Sequence, residues 1–217
     1  MNRQTAQPAA CGLALVSDAP SRRDNPFATC WTRPGALAFR FSAGQSTEQL
    51  VALLAAQNWH GAIIGPHGSG KSTLLAALQP ALAAAGWEVL QITLRDAQRR
   101  LPPRFVPCDR CPTLLVVDGY EQLAWFEQAR LKRRCRRAKL GLLVTAHRPT
   151  NVATLIRLAP DRQLVQQLVG NLTAQVSTPL TAEDIAASHA CHGSNVREVF
   201  FDLYDRHERL RRAQRMI

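Results

Sequence analysis

The octapeptide Gly65-Pro66-His67-Gly68-Ser69-Gly70-Lys71-Ser72 narrows the possible folds of this chain more than any other segment. It matches G-x-x-x-x-G-K-[ST] in full, a pattern that has meaning only where a strand runs into it and a helix leaves it. Both flanks fit. Gly61 to Ile64 reads as a buried strand and Thr73 to Leu82 as a helix. The glycines let the backbone curl so that several N–H groups converge on an anion. The helix amino terminus adds partial positive charge at the same point. The candidate anion contacts are Gly65, Pro66, His67, Gly68, Ser69, Gly70, Lys71, Ser72 and Thr73. In a nucleotide triphosphate site Lys71 reaches the β- and γ-phosphates and the Ser72 hydroxyl ligates Mg²⁺. ATP and Mg²⁺ are therefore the expected ligands.

The rest of the chain supplies the sheet that such a loop needs. At 217 residues it can hold one substantial core, or a core with a small appendage. Strand and helix patterns alternate from Gly61 onward, which argues for a parallel sheet. The strands read as Gly61–Ile64, Glu88–Leu94, Thr113–Asp118, Leu140–Ala146 and Thr154–Leu158. Thr113 to Val117 is an almost continuous apolar run, as expected of a strand covered on both faces. A helix is expected from Glu48 to Gln57 with Thr47 as its cap, and another from Glu121 to about Lys139. A short strand is expected at Leu37 to Phe41. After Pro160 only helical patterns remain: Asp161–Leu172, one opening at Ala182 behind a Thr181–Asp184 capping box, and Asn195 to about Arg212. Three segments follow: residues 1–45 as a mobile or irregular lead-in, 46–159 as the core, and 160–217 as a helical lid with a basic tail.

Asp118 ends the most apolar strand, where a carboxylate can hold Mg²⁺ directly or through water. Ser72 and Asp118 are thus the candidate metal ligands. Hydrolysis also needs a group to orient or deprotonate water. Glu121 is the nearest acid after Asp118. It either turns towards the γ-phosphate or complements the dipole of the following helix. Thr145 and His147, at the end of the fourth strand, alternate onto one face. Ligands gather at the carboxyl ends of parallel strands, which makes both of them candidates for the γ-phosphate or the attacking water.

With these residues in place, the stretch from about Leu50 to Arg209 resembles the AAA+ class of P-loop ATPases. Gly65–Ser72 matches its Walker A motif and Leu114–Asp118 its Walker B motif, and Thr145 or His147 lies where the class carries sensor 1. Gly193-Ser194-Asn195-Val196-Arg197 is similar to the sensor-2 motif, which implies an Arg197 contact to the γ-phosphate that couples lid position to ATP state. An isolated arginine on an amphipathic helix reads equally as a solvated one. The resemblance implies an α/β fold: a P-loop NTPase three-layer architecture with a five-stranded, mostly parallel sheet and a small carboxy-terminal helical lid. An extra strand is expected between the loop strand and the metal-Asp strand. The chain departs from the class in three places. Gly119 stands where the Walker B Glu usually follows Asp. Arg148 to Ala153 is too short for the usual helix. Arg148 and Arg157 are the only candidates for a trans-acting finger, so an oligomer has no clear signature.

Charge frames the partners. Net charge is +11, and only three of the cations are lysines: Lys71, Lys132 and Lys139. Seven basic residues fall in the ten positions from Arg130 to Lys139. Helix-dipole complementarity explains two or three of them, not seven. Nucleic acid or an acidic protein is the candidate partner; no aromatic residue is interleaved for base stacking, which argues against single-strand readout. Cys108-x-x-Cys111 has the spacing of half a zinc knuckle without its other half, and the six cysteines read as ordinary thiols. No apolar run reaches membrane-span length and no signal peptide is legible, so a cytoplasmic location is expected. The functional expectation is an ATPase whose cycle moves a lid against a macromolecule. The alternatives are a slow or non-hydrolysing ATP switch or scaffold and, less favoured, a P-loop phosphotransferase.

Overall fold

The computed structural model describes residues 24–41, 44–94, 98–101, 112–174 and 176–216. Its strands are β1 (His60–Ile64), β2 (Glu88–Thr93), β3 (Thr113–Asp118), β4 (Gly141–Ala146) and β5 (Thr154–Arg157). They form one sheet in the order β2-β3-β4-β1-β5. Every pairing is parallel, so the sheet is wholly rather than mostly parallel. β4 lies between β1 and β3, which is where the extra strand was expected.

Alternation along the strands builds two cores. Ala62 and Ile64, Leu115 and Val117, and Leu142 and Val144 face one side, with Leu131 and Cys135 of helix α4 (Trp125–Arg137). Ile63, Leu114, Val116 and Leu143 face the other. They meet Leu50 and Leu54 of α2 (Thr47–Ala56) and Leu74, Leu78 and Leu82 of α3 (Lys71–Ala84). The result is three layers, helix on sheet on helix. Truncating a fully buried leucine such as Leu78 in this layer costs about 2–5 kcal/mol.

A third core lies outside the sheet. Helices α5 (Arg162–Thr173), α6 (Ala182–His192) and α7 (Val196–Arg215) bury Val165, Val169, Leu172, Val199 and Leu203 together. The Thr181–Asp184 capping box opens α6 as the sequence implied. Ser188 Oγ, fully buried, donates to the Val199 carbonyl at 3.3 Å and ties α6 to α7. Phe27, 1% exposed, completes this core from the far end of the chain. Asn25 fixes the approach by donating to Tyr204 O at 3.2 Å and to Glu208 Oε1 at 2.9 Å.

Local differences from the sequence reading have physical causes. Leu37 to Phe41 is not a strand of the sheet; one isolated bridge joins Pro34 and Leu37, next to a short helix α1 (Thr29–Thr32). Its apolar alternation instead reflects packing, with Leu37 against the third core and Phe39 and Phe41 against the second. Ser46, not Thr47, caps α2, because its hydroxyl accepts from Gln49 N at 3.2 Å. The helix expected from Glu121 starts at Trp125, since Gly119 at φ 85° turns the chain first into a 3₁₀ turn, Tyr120–Gln122. Residues 1–23 and the Cys108/Cys111 pair lie outside the described residues.

His207 is 1% exposed, and neither of its ring nitrogens has a hydrogen-bond partner among the described residues. Burial and then the Arg211 charge depress its pKa below 6.5, with Glu208 opposing them. The unfolded chain therefore takes up this proton first as pH falls. Stability held by the neutral ring is complete above the unfolded value and declines below it. The melting temperature should fall between about pH 7 and about pH 5.5, and His207→Gln should flatten that fall in a thermal-denaturation series.

Candidate functional site

The glycine-rich loop joins the carboxyl end of β1 to the amino end of α3. Gly68 and Gly70 adopt φ of 68° and 91°, which side chains disfavour, and so give the loop its curl. At Gly65 a Cβ would stand 2.9 Å from the Leu158 carbonyl, so only glycine lets the chain leaving β5 pass this close.

Lys71 is 9% exposed and folds back over the loop. Its Nζ donates to Gly65 O and Pro66 O, both at 2.7 Å, and lies 3.2 Å from His147 Nδ1. Three donors thus meet three acceptors, with the tautomer assigned from this network as Nε2–H. That Nε2 lies 2.9 Å from Glu121 Oε1. The His147 ring also stacks on His67, with centroids 3.5 Å apart. Burial lowers the Lys71 pKa; Glu121 and Asp118 oppose this, and the Arg197 charge adds to it. Burial and the Lys71 charge likewise lower that of His147, with Glu121 opposing them, which favours the neutral ring.

Strand register sets the second group. Val117 pairs with Val144, so Asp118 and Thr145 follow side by side on the α3 face. Thr145 Oγ1 donates to Asp118 Oδ1 at 2.5 Å and accepts from Gly119 N at 3.1 Å. Ser72 Oγ donates to Asp118 Oδ2 at 3.3 Å. Fully buried, with its single proton on Asp118, Thr145 positions that carboxylate. His147, by contrast, touches the loop.

A cleft of about 800 Å³ gathers these groups. His67 to Thr73, Asp118, Glu121, Thr145, His147 and Arg197 all line it. Gly65 and Pro66 sit behind, holding Lys71 through their carbonyls. Arg197 arrives at the amino end of α7, whose cap Asn195 lies against the loop. The Asn195 carboxamide oxygen occupies the place where a Cβ on Gly68 would stand. Sequence reasoning passed over this Asn195 contact and the apolar wall made by Leu37, Phe39, Leu164 and Leu168. The alternating Leu37-Ala38-Phe39 was the available signal, although it reads as a strand.

The donor set suits a divalent cation and a polyphosphate. Ser72 and Asp118 offer hard oxygens of the kind Mg²⁺ takes. Ser69 Oγ and Glu121 Oε2 are buried without a hydrogen-bond partner among the described residues, so the cleft holds polar atoms that a ligand would satisfy. No family model matches the chain, and no curated protein matches it by sequence. Among solved structures, the S. cerevisiae Hsp104–ADP complex is similar over 82% of this chain, with a TM-score of 0.50 and 13% identity. The fold is P-loop NTPase-like. This chain spans 32% of that neighbour's length.

Gly119 explains why no glutamate follows Asp118. Its φ of 85° is left-handed, and a Cβ there would stand 2.9 Å from the Leu94 carbonyl. Gly119→Ala should lower unfolding free energy by about 1–2 kcal/mol in a denaturant titration. Gly119→Glu should destabilise as well, rather than install an active carboxylate.

Proposed function

We propose that this chain binds ATP with Mg²⁺ and hydrolyses it, as an AAA+-like ATPase whose cycle moves the α5–α7 unit against a macromolecular partner. One observation carries the reading: the amino end of α7 packs on the same glycine-rich loop whose lysine, serine, aspartate and glutamate line the cleft. Contacts from α7 to the loop make the position of the helical unit depend on what the loop holds. The fold neighbour's ADP complex supports a nucleotide in such a cleft.

Ser72 and Asp118 would hold Mg²⁺, which would offset the negative charge that develops on the phosphate during transfer. Lys71 exchanges its loop carbonyls for phosphate oxygens, a stronger, charge-assisted pairing. Thr145 keeps the Asp118 carboxylate turned towards Ser72. Glu121 accepts the proton of the attacking water as that oxygen bonds to the γ-phosphorus and the bond to the β-phosphate oxygen breaks. His147 Nε2–H holds one Glu121 oxygen and leaves the other for the water. Arg197 supplies positive charge from α7.

Gly119, where a carboxylate usually stands, favours a second reading: an ATP switch with negligible turnover. Phosphate release measured with Mg²⁺ separates the two. Lys71→Ala should abolish both binding and turnover. Glu121→Gln should keep ATP binding and lose about 10²–10⁴-fold in turnover. Unchanged turnover in Glu121→Gln removes Glu121 as the base. Tight binding without turnover in the unaltered protein establishes the switch. ATP loss that requires an acceptor other than water makes the chain a phosphotransferase.

A further inference from the structure

The basic run belongs to α4 and the residues just after it, at the opposite end of the sheet from the glycine-rich loop. Leu131 and Cys135 are buried and fix the inward face of the helix. At 100° per residue, the six cations from Arg130 to Arg137 fall on one continuous arc of about 200° away from them. Arg130, Arg133, Arg134, Arg136 and Arg137 are exposed, and Lys139 extends the face past the helix end. Glu127 is the only acid on α4, and it meets Arg130 at 3.8 Å. Dipole complementarity acts on the last turn alone and leaves the rest of the arc unexplained.

A groove of about 270 Å³ opens at the carboxyl end of this arc, lined by Trp59, His60, Trp87, Arg136 and Lys139. The two half-buried indoles pack against each other at a tilt of 35°, with centroids 4.2 Å apart. His60 Nδ1 lies 2.7 Å from Asn58 O, while His60 Nε2 is buried without a partner among the described residues. The groove therefore brings an aromatic surface and two cations together, with an unpartnered ring nitrogen buried in its wall. The aromatic residues missing from the basic segment are brought to it by the fold, from the start of β1 and the turn before β2.

We propose that this face binds single-stranded nucleic acid: the arginines of α4 hold the phosphate backbone, and the Trp59–Trp87 groove takes an unpaired base. Planar guanidinium groups match phosphate oxygens in pairs. An acidic peptide would satisfy the charge but has no use for a stacked indole pair beside it. An unpaired base brings a ring face together with the adjacent phosphates that the arginines would hold. The proposal is independent of the nucleotide reading, because the two sites lie at opposite strand ends, roughly 15–20 Å apart by strand length.

The test is fluorescence anisotropy of the full chain with a labelled oligo(dT) strand of about 20 nucleotides. With about five phosphates neutralised, affinity should fall about 100-fold between about 50 mM and about 200 mM salt. The combined variant Arg133→Glu, Arg136→Glu, Arg137→Glu should lose at least about tenfold, with melting temperature and binding of a fluorescent ADP analogue unchanged. A strand of equal length with abasic positions should bind about tenfold more weakly to the unaltered protein, and Trp87→Leu should erase that difference. The abasic comparison stands even where Trp87→Leu fails to fold. The proposal is overturned if the charge-reversed variant binds as well as the original. It is also overturned if a duplex of equal length binds as tightly as the single strand, if abasic and normal strands bind alike, or if polyglutamate competes as well per charge.

Discussion

Everything at the cleft depends on how a lysine ammonium can be held almost out of water with no carboxylate among the described residues in direct contact. Burying an unpaired charge costs several kcal/mol. Here the three N–H bonds of Lys71 are matched by two loop carbonyls and one imidazole nitrogen. This arrangement requires the loop to turn its Gly65 and Pro66 carbonyls inward, so the curl at Gly68 and Gly70 and the burial of Lys71 are one condition. It also requires a neutral His147, which the lysine's own charge helps to maintain. The loop is thus shaped by an internal acceptor set, which in the proposed ATP site an anion would replace.

Strand geometry orders the other groups of the cleft. A parallel sheet ends all its strands on one side, and register then decides which residues meet there. Asp118 and Thr145 become neighbours because β3 and β4 pair without a slip. Their contact commits the single proton of the threonine hydroxyl to Asp118. His147, one position beyond β4, escapes the ladder and reaches both the loop and Glu121. Two residues that look interchangeable in the sequence thereby acquire different tasks. The left-handed turn at Gly119 works in the same way. It moves the nearest acid from directly after Asp118 to Glu121, in a 3₁₀ turn that still lines the cleft.

Much of the fold was legible because its signals are local and repeated. The apolar run Thr113–Val117 and the strand–loop–helix context of residues 61–82 each constrain geometry within a few residues. The glycine-rich loop named its own neighbours for the same reason. What was not legible rests on distant packing. Phe27 belongs to the α5–α7 core, yet no periodicity near residue 27 announces it. Leu37 and Phe39 alternate like a strand because they straddle two cores, a pattern that period-two reasoning cannot separate from a sheet. The Asn195 contact to Gly68 joins residues more than a hundred positions apart and depends on where α7 lies.

α4 shows how one helix can serve two surfaces without compromise. Its amino end follows the turn that carries Glu121, and its carboxyl end carries the cations that flank the Trp59–Trp87 groove. Between them, Leu131 and Cys135 pin the helix to the sheet through a buried stripe that charge does not interrupt. Burial pushes the Cys135 thiol up to about 11, so it stays a neutral packing group beside a dense set of cations. Tyr120, pushed up to about 12 by the same cause, remains a neutral hydroxyl that donates to Asn151 at 3.3 Å. Neutral, tightly packed groups on the inner face let the outer face accumulate like charges whose mutual repulsion water and salt screen. A charge density that would destabilise a core is tolerable here because every charge lies on the solvent side of that stripe.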